Sequence, residues 1–143
     1  MSKAPDHHDV DLILRLYELR RERKMREARA WFSESFKVKN LKELNQLCPS
    51  GSQTNAYFRM VASYWDMVAS FIRHETLNKQ LFFESGGEML LVWVRIEPLL
   101  EEIRQQFSDA NFLGNLEEVA GKFIRWREKR SPGSFEAFKK RVG

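Results

Sequence analysis

Apolar residues recur at Tyr57, Phe58, Val61, Ala62, Trp65, Val68, Ala69 and Ile72. That is the 3.6-residue period of an amphipathic helix, here running from about Gln53 to His74. Tyr64 and Phe71 extend the face, so this helix is expected to meet neighbours on two sides. After Phe82-Phe83-Glu84-Ser85-Gly86-Gly87-Glu88 comes the most apolar run, Met89–Val94, which alone would suit a buried strand as well as a helix. Its continuation through Ile96, Leu99, Leu100, Ile103 and Phe107 predicts helix. Pro98 lies inside that pattern. It lacks the N–H that would bond Val94 and its ring crowds that carbonyl, a cost of about 3 kcal/mol if uncompensated, so a kink is expected between the two, either curving the helix around the core or opening backbone carbonyls toward a ligand.

The same reading covers the rest of the chain. Asp6 or Asp9 can cap a first helix whose apolar side is Val10, Ile13, Leu14 and Tyr17, widened by Leu12, Leu16 and Leu19. A second pattern follows at once through Met25, Ala28, Phe32 and Phe36, with Trp31 beside them. Glu22-Arg23-Lys24 contains no Gly or Pro, which leaves open whether the two are one helix. A short helix through Leu41, Leu44 and Leu47 precedes the loop Cys48-Pro49-Ser50-Gly51-Ser52. Asn78 can cap another through Leu81, Phe82 and Phe83, ended by Gly86-Gly87. Ser108 or Asn111 is expected to start a helix through Phe112, Leu116, Val119, Ala120 and Phe123. Ser131-Pro132-Gly133 breaks it, and Ser134 is expected to cap a terminal helix bearing Phe135, Phe138 and Val142.

No alternating strand pattern or repeat occurs. The expectation is an all-α, single-domain helical bundle of four to five main helices plus short ones, centred on the pair near 54–74 and 87–107. Residues 1–8 are assigned to a flexible N-terminus and 9–143 to the helical domain.

Composition narrows the function classes. The chain is 43% hydrophobic and 31% charged, with eleven Phe and four Trp, enough apolar material for a core without disulfides or metal. Cys48 is the single cysteine, so no intramolecular disulfide forms. The polar start, Met1 to Val10, is no signal peptide, and no apolar run approaches the roughly 18–20 residues of a membrane span. A cytoplasmic setting is expected.

Catalytic signals are weak. His7 and His8 fall in the N-terminal stretch and His74 at a helix end. Inward Glu-x-x-His pairs, a phosphate-cradling glycine loop and a G-x-S-x-G elbow do not occur. No catalytic, cofactor-binding or metal-binding residue is assigned.

Arg95 stands between Leu91 and Leu99 on a partly apolar line, and a buried arginine needs carboxylate partners; a solvated or a ligand-binding Arg95 is the alternative. Glu88 and Glu102 share its face and Glu84 can reach across, so Glu84, Glu88 and Arg95 form the candidate structural polar cluster, an ion pair pinning the connector to the long helix. Glu97 is expected to be exposed. Arg59, Ser63, Asp66, Ser70 and Arg73 form a polar stripe, either solvated or partner-binding.

Two basic clusters stand out. One is Arg20, Arg21, Arg23, Lys24, Arg26 and Arg29; the other runs from Lys122 through Arg130 into Lys139, Lys140 and Arg141. With the net charge of +4 they permit electrostatic binding to nucleic acid or an anionic membrane surface. The leading expectation is instead a protein–protein interaction or regulatory module without catalysis. It would bind a protein partner or a second copy through surplus apolar residues such as Trp31, Tyr64, Phe71 and Trp126.

Tyr57-Phe58, Val61, Phe71, Leu77, Leu81, Phe83-Glu84, Gly87, Trp93 and Ile96-Glu97-Pro98-Leu99 together resemble a family of small bacterial helical proteins known only as a domain of unknown function. Leu16-Tyr17 and Met25-Arg26-Glu27-Ala28-Arg29 are similar to its first helices, so the resemblance covers most of residues 9 to 125. It implies a helical domain and carries over no catalytic residue. It also implies a membrane anchor ahead of the domain in some relatives; no such segment occurs in these 143 residues. Similar sequences often have a proline near Arg23, where this one has none.

Overall fold

The computed structural model of the chain describes residues 4–143. Its helices are α1 (His7–Arg20), α2 (Arg23–Ser35), α3 (Leu41–Leu47), α4 (Gln53–Arg73), α5 (Lys79–Phe83), α6 (Glu88–Ile96), α7 (Leu100–Phe107), α8 (Gly114–Arg130) and α9 (Ser134–Val142). The described residues contain no strand.

The central helix α4 packs against α2 on one side and α8 on the other, with α6 closing the layer between α4, α8 and α9. One contiguous core runs from Leu16 to Phe138 and includes Phe32, Phe36, Phe58, Trp65, Leu90, Ile96 and Phe123. Aromatic stacking continues through it, Phe32 on Phe36, Phe36 on Phe58, and Phe83 on Phe123. Burying rings of this size is the main favourable term in such a fold.

The proline breaks the long helix where the lost N–H requires. Glu97–Leu99 is a 3-10 turn carrying Pro98, and α6 and α7 lie either side of it. Glu97 and Pro98 are exposed, while Ile96 and Leu99 are fully buried, so the bend keeps both apolar segments on the core. Asn78 caps α5 through Leu81 N, and Ser52 caps α4 through Asn55 N.

Four local features differ from the pattern reading. The first helix begins at His7 and takes in His8, because Asp6 and Asp9 form a reciprocal capping box. Of the stretch assigned to a flexible N-terminus, residues 1–3 lie outside the described residues. The α1–α2 break is made by Glu22, whose side chain accepts from Met25 N at 3.0 Å. Main-chain N–H groups of Lys24 and Met25 hold its carboxyl below the usual range.

The helix expected from Ser108 or Asn111 starts at Gly114. Residues 108–113 form a turn instead, with Ser108 and Leu113 in the left-handed region (φ 53° and 57°) and Asp109 Oδ1 accepting from Asn111 N. Ser134 is the first residue of α9 rather than its cap. Gly133 holds the cap position at φ 85° with no side-chain cap bond, a backbone conformation that favours glycine.

Candidate functional site

Arg95 is 7% exposed among the core residues. Among the described residues its guanidinium meets no carboxylate. Nη1 donates to the carbonyls of Phe32 (3.1 Å), Ser33 (3.2 Å) and Phe36 (2.9 Å), and Nε donates to the carbonyl of Val142. These carbonyls end α2 and α9, where a helix leaves acceptors unsatisfied and carries partial negative charge. One cation thus closes two helix ends at once. Burial lowers its pKa from the usual arginine value.

The expected ion pair of Arg95 with Glu84 or Glu88 is therefore replaced. Glu88 turns to Arg29, which donates from Nε at 2.8 Å and from Nη2 at 2.7 Å in a two-pronged contact. Arg29 also donates from Nη1 to the Arg20 carbonyl at 3.0 Å, so it ties the end of α1 and the body of α2 to the first turn of α6. The bond to Glu88 raises the Arg29 pKa. Glu84 is exposed and lies along a shallow groove with Trp126, Arg127 and Arg130. The predicted cluster is dispersed: the three residues lie close in sequence, but each has a different environment.

Arg29 was legible only as a member of a basic run. Its spacing with Met25 and Phe32 puts it on the buried arc of α2, the same signal that singled out Arg95. Glu102 likewise leaves Arg95 alone, accepting from Leu41 N at 3.4 Å.

Two of the five residues in the polar stripe on α4, Asp66 and Arg73, reach α8. Asp66 Oδ1 accepts from Leu116 N at 2.9 Å and Oδ2 from Asn115 Nδ2 at 3.2 Å. Arg73 reaches Asn115 and Glu118. Arg59, Ser63 and Ser70 instead bond within their own helix. Asp9, buried at 7% exposure, accepts from Asp6 N and from Asn78 N.

Cys48 is buried, and burial pushes its thiol up to about 11. The Tyr64 hydroxyl donates to the Leu16 carbonyl at 2.6 Å, and burial pushes its pKa up to about 12.

The apolar surplus is not where the pattern placed it. Tyr64 is buried, and Trp31, Phe71 and Trp126 are half-buried against the core. The exposed apolar side chains are concentrated on α1: Val10 is 45% exposed, Leu14 55%, Tyr17 51% and Leu19 47%. The side of α1 that packs inward carries Asp9, Leu12 and Leu16. Two polar contacts fix this rotation, Asp9 to Asn78 N and the Leu16 carbonyl to Tyr64. Val10, Leu14 and Tyr17 are left on the outer side, one helical turn apart.

Fold and contacts define an all-helical domain in which the buried or half-buried Asp9, Arg29, Asp66 and Arg95 bond from one helix to another. The chain belongs to the family described as a domain of unknown function, DUF4760, whose model matches residues 5–126. Helix α9 lies beyond the matched residues. No curated protein and no solved structure matches the chain. No helix among the described residues is long and apolar enough to cross a membrane.

Proposed function

We propose that this domain is a cytoplasmic protein–protein interaction or regulatory module that performs no catalysis of its own. The observation that carries the reading is the exposed stripe Val10, Leu14 and Tyr17 on a helix whose opposite side is already buried. Contiguous apolar surface of that kind commonly marks a contact site. The reading gains support from what the reactive side chains do. Arg95 serves carbonyls, Glu88 serves Arg29, Asp66 serves α8, and the thiol of Cys48 is held protonated.

A photo-crosslinking residue placed at Leu14 tests it in native lysate. Protein adducts at position 14, and none from the exposed polar position Glu34 on α2, are the expected result. Equal labelling at both positions, or none at either, would overturn the reading.

A second reading rests on exposed cations around α8 and α9, including Arg125, Lys129, Arg130, Lys139 and Lys140, which would hold nucleic acid or an anionic surface. The rings among them are already covered. Arg130 lies over Trp126, and Arg127 and Arg141 lie over Phe138, so base stacking has little to use. This reading requires binding that weakens steeply with salt; no binding at low salt removes it.

A further inference from the structure

We propose that the outer stripe of α1 pairs antiparallel with the same stripe of a second copy of this chain. The inference rests on the reading of that stripe as a protein contact, and names its occupant.

The stripe itself is short. Val10, Leu14 and Tyr17 are each about half exposed, with the Arg20 and Arg21 guanidiniums against the Tyr17 ring, and Ile13 packs at its inner edge. One margin of the stripe carries His7, Asp11, Arg15 and Glu18, spaced so that all four project from the same flank of the helix. All four are exposed, and none makes an ion pair or side-chain hydrogen bond among the described residues. The charges of Asp11, Arg15 and Glu18 alternate along the flank.

A twofold axis that relates two antiparallel helices brings like flanks together with their directions reversed. In that arrangement Val10 faces Tyr17 of the second copy and Ile13 faces its Leu14. Asp11 then comes level with the second copy's Arg15, and by the same axis Arg15 with its Asp11. The two flanks therefore match in sign. A parallel pair would set this flank against the opposite one, where Ile13 and Arg20 lie, and the match is lost. The acidic Asp11 and Glu18 at the margin also disfavour an anionic lipid surface as the occupant.

Size sets the strength. Stable specific interfaces bury about 1,600 Å² in total, and one face of a single helix from each copy contributes less. The association is therefore weak and reversible, formed at high protein concentration.

Sedimentation equilibrium of the full chain from about 10 µM to about 1 mM reads the association directly. The wild-type chain dimerises within this range. Leu14→Glu weakens the dimer on the order of tenfold or more, a hot-spot-sized loss. Asp11→Arg and Arg15→Asp each weaken it, because each sets like charges against one another twice across the axis. The double variant Asp11→Arg/Arg15→Asp restores wild-type association, an outcome that a general loss of fold or charge cannot produce. Circular dichroism confirms that each variant folds, since all these positions face solvent.

A wild-type chain that stays monomeric at 1 mM, or a double variant no tighter than the single ones, overturns the pairing. A monomer that still crosslinks another protein through position 14 rejects the second copy as occupant and leaves the interaction reading standing. A monomer with no adduct at position 14 rejects both.

Discussion

Arg95 Nη1 lies 2.9 Å from the Phe36 carbonyl, so a guanidinium from the last turn of α6 closes the far end of α2. The same group reaches Val142, the last residue of α9. Helix ends that converge in a core need a donor, because buried carbonyls without one retain their desolvation cost. Arginine suits the task, since its planar fork directs several N–H groups at once.

Arg95→Met should therefore destabilise the fold by about 2–4 kcal/mol, as buried acceptors lose their donor. Arg95→Lys should recover only part of this, because an ammonium cannot reach both helix ends. Urea unfolding of the three proteins is the measurement. A loss below about 1 kcal/mol for Arg95→Met would show that these bonds matter little.

Arg29 and Glu88 are coupled across 59 residues of sequence. Both side chains are a little over one quarter exposed, 29% and 27%, so solvent screens the pair only in part. A double-mutant cycle with Arg29→Met and Glu88→Gln should give a coupling energy of about 1–2 kcal/mol, above that of an exposed pair. Additive single effects would contradict it.

Asp66 acts as an N-terminal cap supplied by another helix. Asp66→Ala should cost about 0.5–2 kcal/mol, the usual range for losing a cap. It should also speed amide exchange in the first turn of α8 more than in α4. Uniform exchange across both helices would remove the capping role.

The alkaline limb of stability follows from Cys48 and Tyr64. Their folded values of about 11 and about 12 lie above the ordinary values of about 8.5 and about 10. The folded state thus disfavours both anions. The resulting stabilisation is complete below about pH 8.5 and is lost as pH rises towards 11–12. Urea midpoints should fall steadily above pH 9, and native Cys48 should react with a thiol reagent far more slowly than the unfolded chain. A flat midpoint between pH 8 and 10.5 would contradict the burial of these groups.

Gly86 is required by a close approach. A Cβ there would collide with the ring of Phe82, which is buried at 4% exposure beside Trp65. Gly86→Ala should cost about 1–3 kcal/mol through overpacking, read as a lowered melting temperature. An unchanged melting temperature would mean that the ring moves freely.

The helical identity of this chain was legible because periodicity is a local property. The spacing of Tyr57 through Ile72, the cap at Asn78 and the missing N–H of Pro98 each act within a turn or two of helix. Sequence alone therefore determined the all-α class, most of the helix positions and the break in the long helix. It did not determine which way a helix turns. α1 has apolar residues on two sides, and only the contacts of Asp9 with Asn78 and of Leu16 with Tyr64 chose the one that is buried. The partners of Arg95, Glu88 and Asp66 also waited on the tertiary structure. Hydrogen-bonding groups that meet across 47 to 63 residues are joined by the packing of helices, which no local spacing encodes.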